Sequence, residues 1–190
     1  AVGLVEELRM VKSPAEIALI RASVELASRA FQQTLRLVRP GITELDLAAE
    51  LDRRMRKLGA ERPAFDTLVA CGRRTALVHA SPTSKKLSRN GLLLIDAGAL
   101  RAGYCSDMTR TLYLGRPAAE VQRRYAAVLE AQLAAIAAVR EGVTAASVDR
   151  AARRVLKAHG LEAAFVHACG HGLGLEIHEP PRLGKGQQTR

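Results

Sequence analysis

Apolar residues recur every three or four positions through Ile17, Ile20, Val24, Ala27, Phe31, Leu35 and Val38, the period of an amphipathic helix. Ser13-Pro14-Ala15-Glu16 predicts its start: a capping box with proline at the first helical position. Pro40-Gly41 predicts its stop. Thr43 is placed to cap a second helix with a buried stripe of Leu45, Ala48, Leu51, Met55 and Leu58, ended by Gly59. From Phe65 to Leu114 the pattern changes. Phe65 to Ala70 reads as extended. Leu92-Leu93-Leu94-Ile95 reads as a strand behind an Asn90-Gly91 turn, and Thr109 to Tyr113 alternates and is rich in β-formers. A third helix is predicted after Pro117, running to about Glu141 before Gly142. A fourth runs from Thr144 to Gly160, and the glycine-rich stretch Phe165 to Pro181 reads as strand and loop. Helices, sheet, helices, sheet: the order predicts one α+β domain with two similar halves.

At 190 residues the chain is long enough to bury a core of its own. It contains no apolar run of the roughly 18–20 residues that a membrane helix needs, so no membrane partner is expected. The first nine residues carry Glu6 and Glu7 and no basic-then-apolar leader. Read as the start of the protein, they predict a cytoplasmic location. Cys71, Cys105 and Cys169 form no CxxC pair and no disulfide framework, and each reads first as a small hydrophobe. The formal net charge of +10 raises nucleic acid as a partner. Aromatics at 3% leave few rings for base stacking, and Asp52-Arg53-Arg54-Met55-Arg56-Lys57 reads as a solvated helix face. No nucleic-acid partner is expected.

Asp96 ends the run Leu92 to Ile95, and Asp107 opens the next strand after Gly103-Tyr104-Cys105-Ser106. A strand, a turn and a returning strand can set two carboxylates side by side. Such a pair asks for a metal or a shared proton; taken alone, the two are better read as exposed turn residues. Histidines change the balance. His171 stands among glycines in Gly170-His171-Gly172-Leu173-Gly174, His178-Glu179-Pro180 follows, and His79 and His167 also lie in sheet-like segments. His159 reads instead as a favourable charge at a helix end. Mixed Asp and His donors suit Mn²⁺, Co²⁺, Zn²⁺ or Fe²⁺ better than Ca²⁺ or Mg²⁺. No serine or cysteine stands in a nucleophile motif, so metal-activated water is the leading chemistry.

At these residues the chain resembles the metallopeptidase family of methionine aminopeptidase, Xaa-Pro aminopeptidase, prolidase and creatinase. The resemblance runs from Met10-Val11-Lys12-Ser13-Pro14 onward. Its most specific segments are Ala64 to Val69, Ile95-Asp96-Ala97-Gly98, Gly103 to Thr111 and Gly170 to Pro180. Ser106-Asp107-Met108-Thr109-Arg110-Thr111 is most similar to the proline-specific branch. The resemblance implies a pita-bread fold, with two similar halves and a curved antiparallel sheet flanked by helices. It also implies two divalent metal ions, Mn²⁺ foremost with Co, Zn or Fe as alternatives. Asp96, Asp107 and His171 match metal ligands. His79 and His178 match the histidines that hold the substrate and stabilise the intermediate, and His167 a further substrate-pocket histidine. The activity implied is cleavage of the N-terminal Xaa-Pro bond by a metal-activated hydroxide.

Two departures accompany the match. The family often has proline before the histidine that His79 matches, where this chain has Ala76-Leu77-Val78. The family also supplies two glutamate ligands that Glu176 and Glu179 do not match. Both are expected beyond Arg190, together with the last strands. Residues 1–12 are accordingly expected to be the trailing end of an N-terminal domain or a linker, and residues 13–190 a catalytic domain cut before those ligands. The alternatives are a pita-bread module that binds without catalysis, or prolidase or methionine aminopeptidase activity. Homodimerisation is left open.

Overall fold

The two helices with a capping box in the sequence start where that box stands. In the computed structural model, which describes residues 3–189, α1 spans Leu4–Met10, α2 Pro14–Leu35 and α3 Glu44–Lys57. The hydroxyls of Ser13 and Thr43 accept from the N–H groups of Glu16 and Asp46, whose carboxylates accept from the capping residues in return. Two donors are satisfied at each end. Strand β1 is Arg62–Pro63, β2 Leu68–Cys71, β3 Gly91–Ala97, β4 Ala99–Arg101, β5 Tyr104–Cys105 and β6 Met108–Leu114. Helices α4, Ala119–Ala138, and α5, Ala145–Ala158, follow, and β7, Gly170–Gly172, pairs with β8, Glu179–Leu183. Of the stretch 1–12, residues 4–10 are helical, while residues 1 and 2 lie outside the described residues.

The described residues divide into two compact units. One holds residues 11–117 and 173–177. In it, β3 pairs antiparallel with both β2 and β6, and a second small sheet orders β1, β4 and β5. Leu26, Phe31, Leu47, Leu51, Met55, Val69, Leu93 and Ile95 form its core. The other unit holds residues 3–10, 118–172 and 178–189. There Ala131, Ala135, Val148, Ala152 and Leu156 pack α4 against α5.

The buried stripes differ from those the periodicity predicts. On α2, Ile17 and Val24 are exposed, while Ser23, Leu26, Ala27, Ala30, Phe31 and Thr34 are buried. Two polar residues can lie there because each has a partner. The Ser23 hydroxyl donates to the Ala99 carbonyl at 2.8 Å, and that of Thr34 to the Ala30 carbonyl at 2.9 Å. On α3, Leu45 faces solvent, and Glu44 and Leu47 are buried in full. Helix α2 also ends earlier than Pro40: Leu37 and Val38 donate to the carbonyls of Thr34 and Leu35 in tighter turns. The extended segment expected from Phe65 begins at Leu68, since Phe65 packs beside Ala64 and Leu100 in a small cluster.

Candidate metal centre and active site

Asp96 and Asp107 flank one antiparallel ladder. Asp96 stands opposite Thr109 in the β3–β6 register, and Asp107 directly precedes β6. Both are half-buried. The Thr109 hydroxyl donates to Asp96 Oδ1 at 2.7 Å, which holds that carboxylate in one orientation. Among the described residues no lysine or arginine pairs with Asp96. Gly98 lies between the carboxylates in sequence; a Cβ there would fall 1.8 Å from the Ser106 carbonyl oxygen. Only glycine lets the two segments approach this closely.

In the other unit, His171 lies on β7 opposite Arg182, and His178 directly precedes β8. Their rings meet edge to face with centroids 4.4 Å apart. His171 Nδ1 lies 2.9 Å from the Gly172 carbonyl oxygen and donates to it when the ring is neutral. That bond puts the lone pair on Nε2, the arrangement by which ligand histidines are oriented. A Cβ on Gly172 would come 2.4 Å from the Pro180 carbonyl oxygen, so Gly172 makes room for the returning chain. Glu179, next to His178, is buried and paired with Arg9.

His167 is exposed and rests on a support that periodicity did not reveal. Arg153 donates to the Phe165 carbonyl at 2.9 Å and the His167 carbonyl at 2.7 Å, and its guanidinium lies 4.4 Å over the Phe165 ring. Its charge is met one helical turn away by Asp149, at 2.7 Å and fully buried. The spacing of four was the available signal. Cys169 nearby has its thiol pushed up, by burial first and then by the Asp149 charge. An apolar cavity of about 660 Å³ lies between α4, α5 and residues 161–169, and of the six candidate residues only His167 borders it. His159 is the C-cap residue of α5, and its Nε2 lies 2.9 Å from a Glu130 carboxylate oxygen.

His79 is exposed in the segment after a 3-10 turn, Gly72–Ala76. The donors are of the right kind for a divalent transition metal: two carboxylates and an imidazole of defined tautomer. Among the described residues, no group of three or more His, Cys, Asp or Glu is placed to hold a metal ion. No helix among them is long and apolar enough to cross a membrane.

The fold is the α+β pita-bread fold of a family of metallopeptidases. Residues 18–190 match the metallopeptidase family M24, and the chain belongs to that family. It is 40% identical over 186 residues to the Xaa-Pro dipeptidase of Pyrococcus furiosus, covering 98% of this chain and 53% of that protein. The solved Xaa-Pro dipeptidase from Bacillus anthracis superposes with a TM-score of 0.97 at 39% identity, covering all of this chain and 53% of the other. The X-Pro aminopeptidase from Thermotoga maritima gives 0.94 at 41% identity, covering 97% and 53%. The chain thus spans about half the length of the relatives it matches.

Proposed function

We propose that the protein carrying this chain is a metal-dependent aminopeptidase that hydrolyses the N-terminal Xaa-Pro bond of peptides. The observation that carries the reading is the donor chemistry. Asp96 is oriented by Thr109, Asp107 precedes the same ladder, and His171 has its Nδ1 proton held on the Gly172 carbonyl. We assign these three as metal ligands. Two divalent ions bound there with further carboxylates, Mn²⁺ foremost, would supply Lewis acidity and a water of lowered pKa.

The remaining roles fall to side chains of this chain. His79 and His178 are both exposed. His178 donates an imidazole N–H to the carbonyl oxygen as it gains negative charge, and His79 orients the same peptide group. His167, its backbone held by Arg153, lines the pocket for the residues around the bond. The names of the relatives favour a closely related reading, prolidase activity, in which only dipeptides are accepted.

The test is the rate on a Xaa-Pro dipeptide, a Xaa-Pro tripeptide and a Met-Ala peptide under Mn²⁺, using the whole protein. Hydrolysis of both proline peptides supports the proposal. Dipeptide-only cleavage would make it a prolidase, and Met-Ala cleavage alone a methionine aminopeptidase. Intact peptides and no bound metal would leave a non-catalytic module.

A further inference from the structure

Glu44 is the first residue of α3, and its side chain is fully buried. A carboxylate withdrawn from water is costly unless other donors replace its hydration. Four do so. Oε1 accepts from the Cys71 N–H at 2.8 Å. Oε2 accepts from the Thr83 hydroxyl at 2.7 Å, the Thr83 N–H at 3.0 Å and Arg74 Nε at 3.2 Å. Burial pushes this carboxyl up, but the bonds from Thr83 and Cys71 outweigh it and hold it below its ordinary value.

The donors share one feature: they bracket a single segment. Cys71 ends β2, Arg74 lies in the following 3-10 turn, and Thr83 comes after the exposed residues 77–79. Arg74 reaches across a second time, donating to the Ser81 carbonyl at 2.6 Å. The start of α3 also holds the segment through its backbone, with Glu44 N–H on the Lys85 carbonyl at 3.0 Å and Leu45 N–H on Thr83 at 3.1 Å. None of the side-chain bonds of Glu44 is needed to cap α3. Thr43 and the exposed Asp46 already do that. What the buried carboxylate joins is the two ends of the loop that carries His79.

We propose that Glu44 is a positioning residue for His79, one carboxylate fixing both ends of residues 71–83 and so where the imidazole is presented. This rests on the reading of His79 as a substrate-binding histidine. Glutamine at position 44 would place an amide N–H against donors that now share an anionic oxygen, so the clamp would open.

The test compares wild type, Glu44→Gln, His79→Ala and the double variant in the whole Mn²⁺-loaded protein, with kcat and KM on a Xaa-Pro peptide. The His79 ring resonances and amide exchange across residues 71–83 are followed alongside. Glu44→Gln is expected to lower kcat/KM by about 10- to 100-fold, to shift the His79 resonances, and to cost nothing further once His79 is alanine. Thr83→Val, the milder change, should give a smaller loss in the same direction and serves if Glu44→Gln fails to fold. Equal losses with and without His79, or unshifted His79 resonances, would overturn the proposal. Full activity in His79→Ala would instead remove the role assigned to His79, and the ring resonances would still decide whether Glu44 positions it.

Discussion

At the level of single side chains, His171 and His178 are neighbours for which different tasks are proposed. His171 is oriented through its own backbone neighbour, which suits a ligand, whereas His178 is exposed beside it. Asp107→Asn or His171→Ala should therefore abolish Mn²⁺ uptake by the whole protein in calorimetry. His178→Ala should retain metal and lower kcat about 10²-fold, as loss of an oxyanion donor does. Glu50 offers a test of a different kind. The Arg53 hydrogen bond, opposed by burial and aided by Arg54, lowers its carboxyl from 4.5 to about 2. A depressed carboxylate contributes stability above its unfolded pKa and loses it as pH falls through the folded value. Glu50→Gln should cost about 0.5 kcal/mol near neutral pH. In urea unfolding that difference should shrink as pH falls from 4.5 toward 2.

Among the elements, α5 and the segment after it depend on a buried ion pair. Asp149 has no exposure, and Arg153 is its partner while also binding two carbonyls of the 165–167 segment. Removing one partner of such a pair leaves an unpaired charge in the interior. Arg153→Met is expected to destabilise the protein by about 3 kcal/mol and to raise amide exchange around Phe165 and His167. A loss within experimental error would mean that the pair is solvated in solution. The i,i+4 spacing made this pair legible in principle. The two carbonyls that Arg153 reaches were not, because they belong to a loop with no periodicity.

For the whole chain, the three assigned ligands are fewer than the four that a closed metal site uses. Among the described residues, no three or more His, Cys, Asp or Glu side chains are gathered closely enough to hold a metal ion. Mn²⁺ titrated into the 190-residue chain should give weak, non-saturating heat. Saturable binding of two ions per chain would mean that side chains not assigned here complete the centre. Helix α4 adds a feature of the same scale, since Val128, Leu133 and Ile136 remain exposed along it. Apolar periodicity finds such a face, but it does not tell what the face meets.

Local chemistry determined much of this protein. Ser13 and Thr43 start their helices because a hydroxyl three residues before a carboxylate satisfies donors that the helix leaves open, whatever else surrounds it. Asn90-Gly91 and the alternation from Thr109 likewise placed β3 and β6, and the motifs around Asp96, Asp107 and His171 carried the family. Tertiary structure decided which faces are buried. On α2, Ser23 and Thr34 are buried and Ile17 and Val24 exposed, and the two hydroxyls are tolerated there because carbonyls, one of them 76 residues away, receive them. Glu44 reads in sequence as an ordinary acidic residue in a first helical turn. Only folding brings Cys71, Arg74 and Thr83 around it, because the donors that make a buried charge tolerable come from segments distant along the chain.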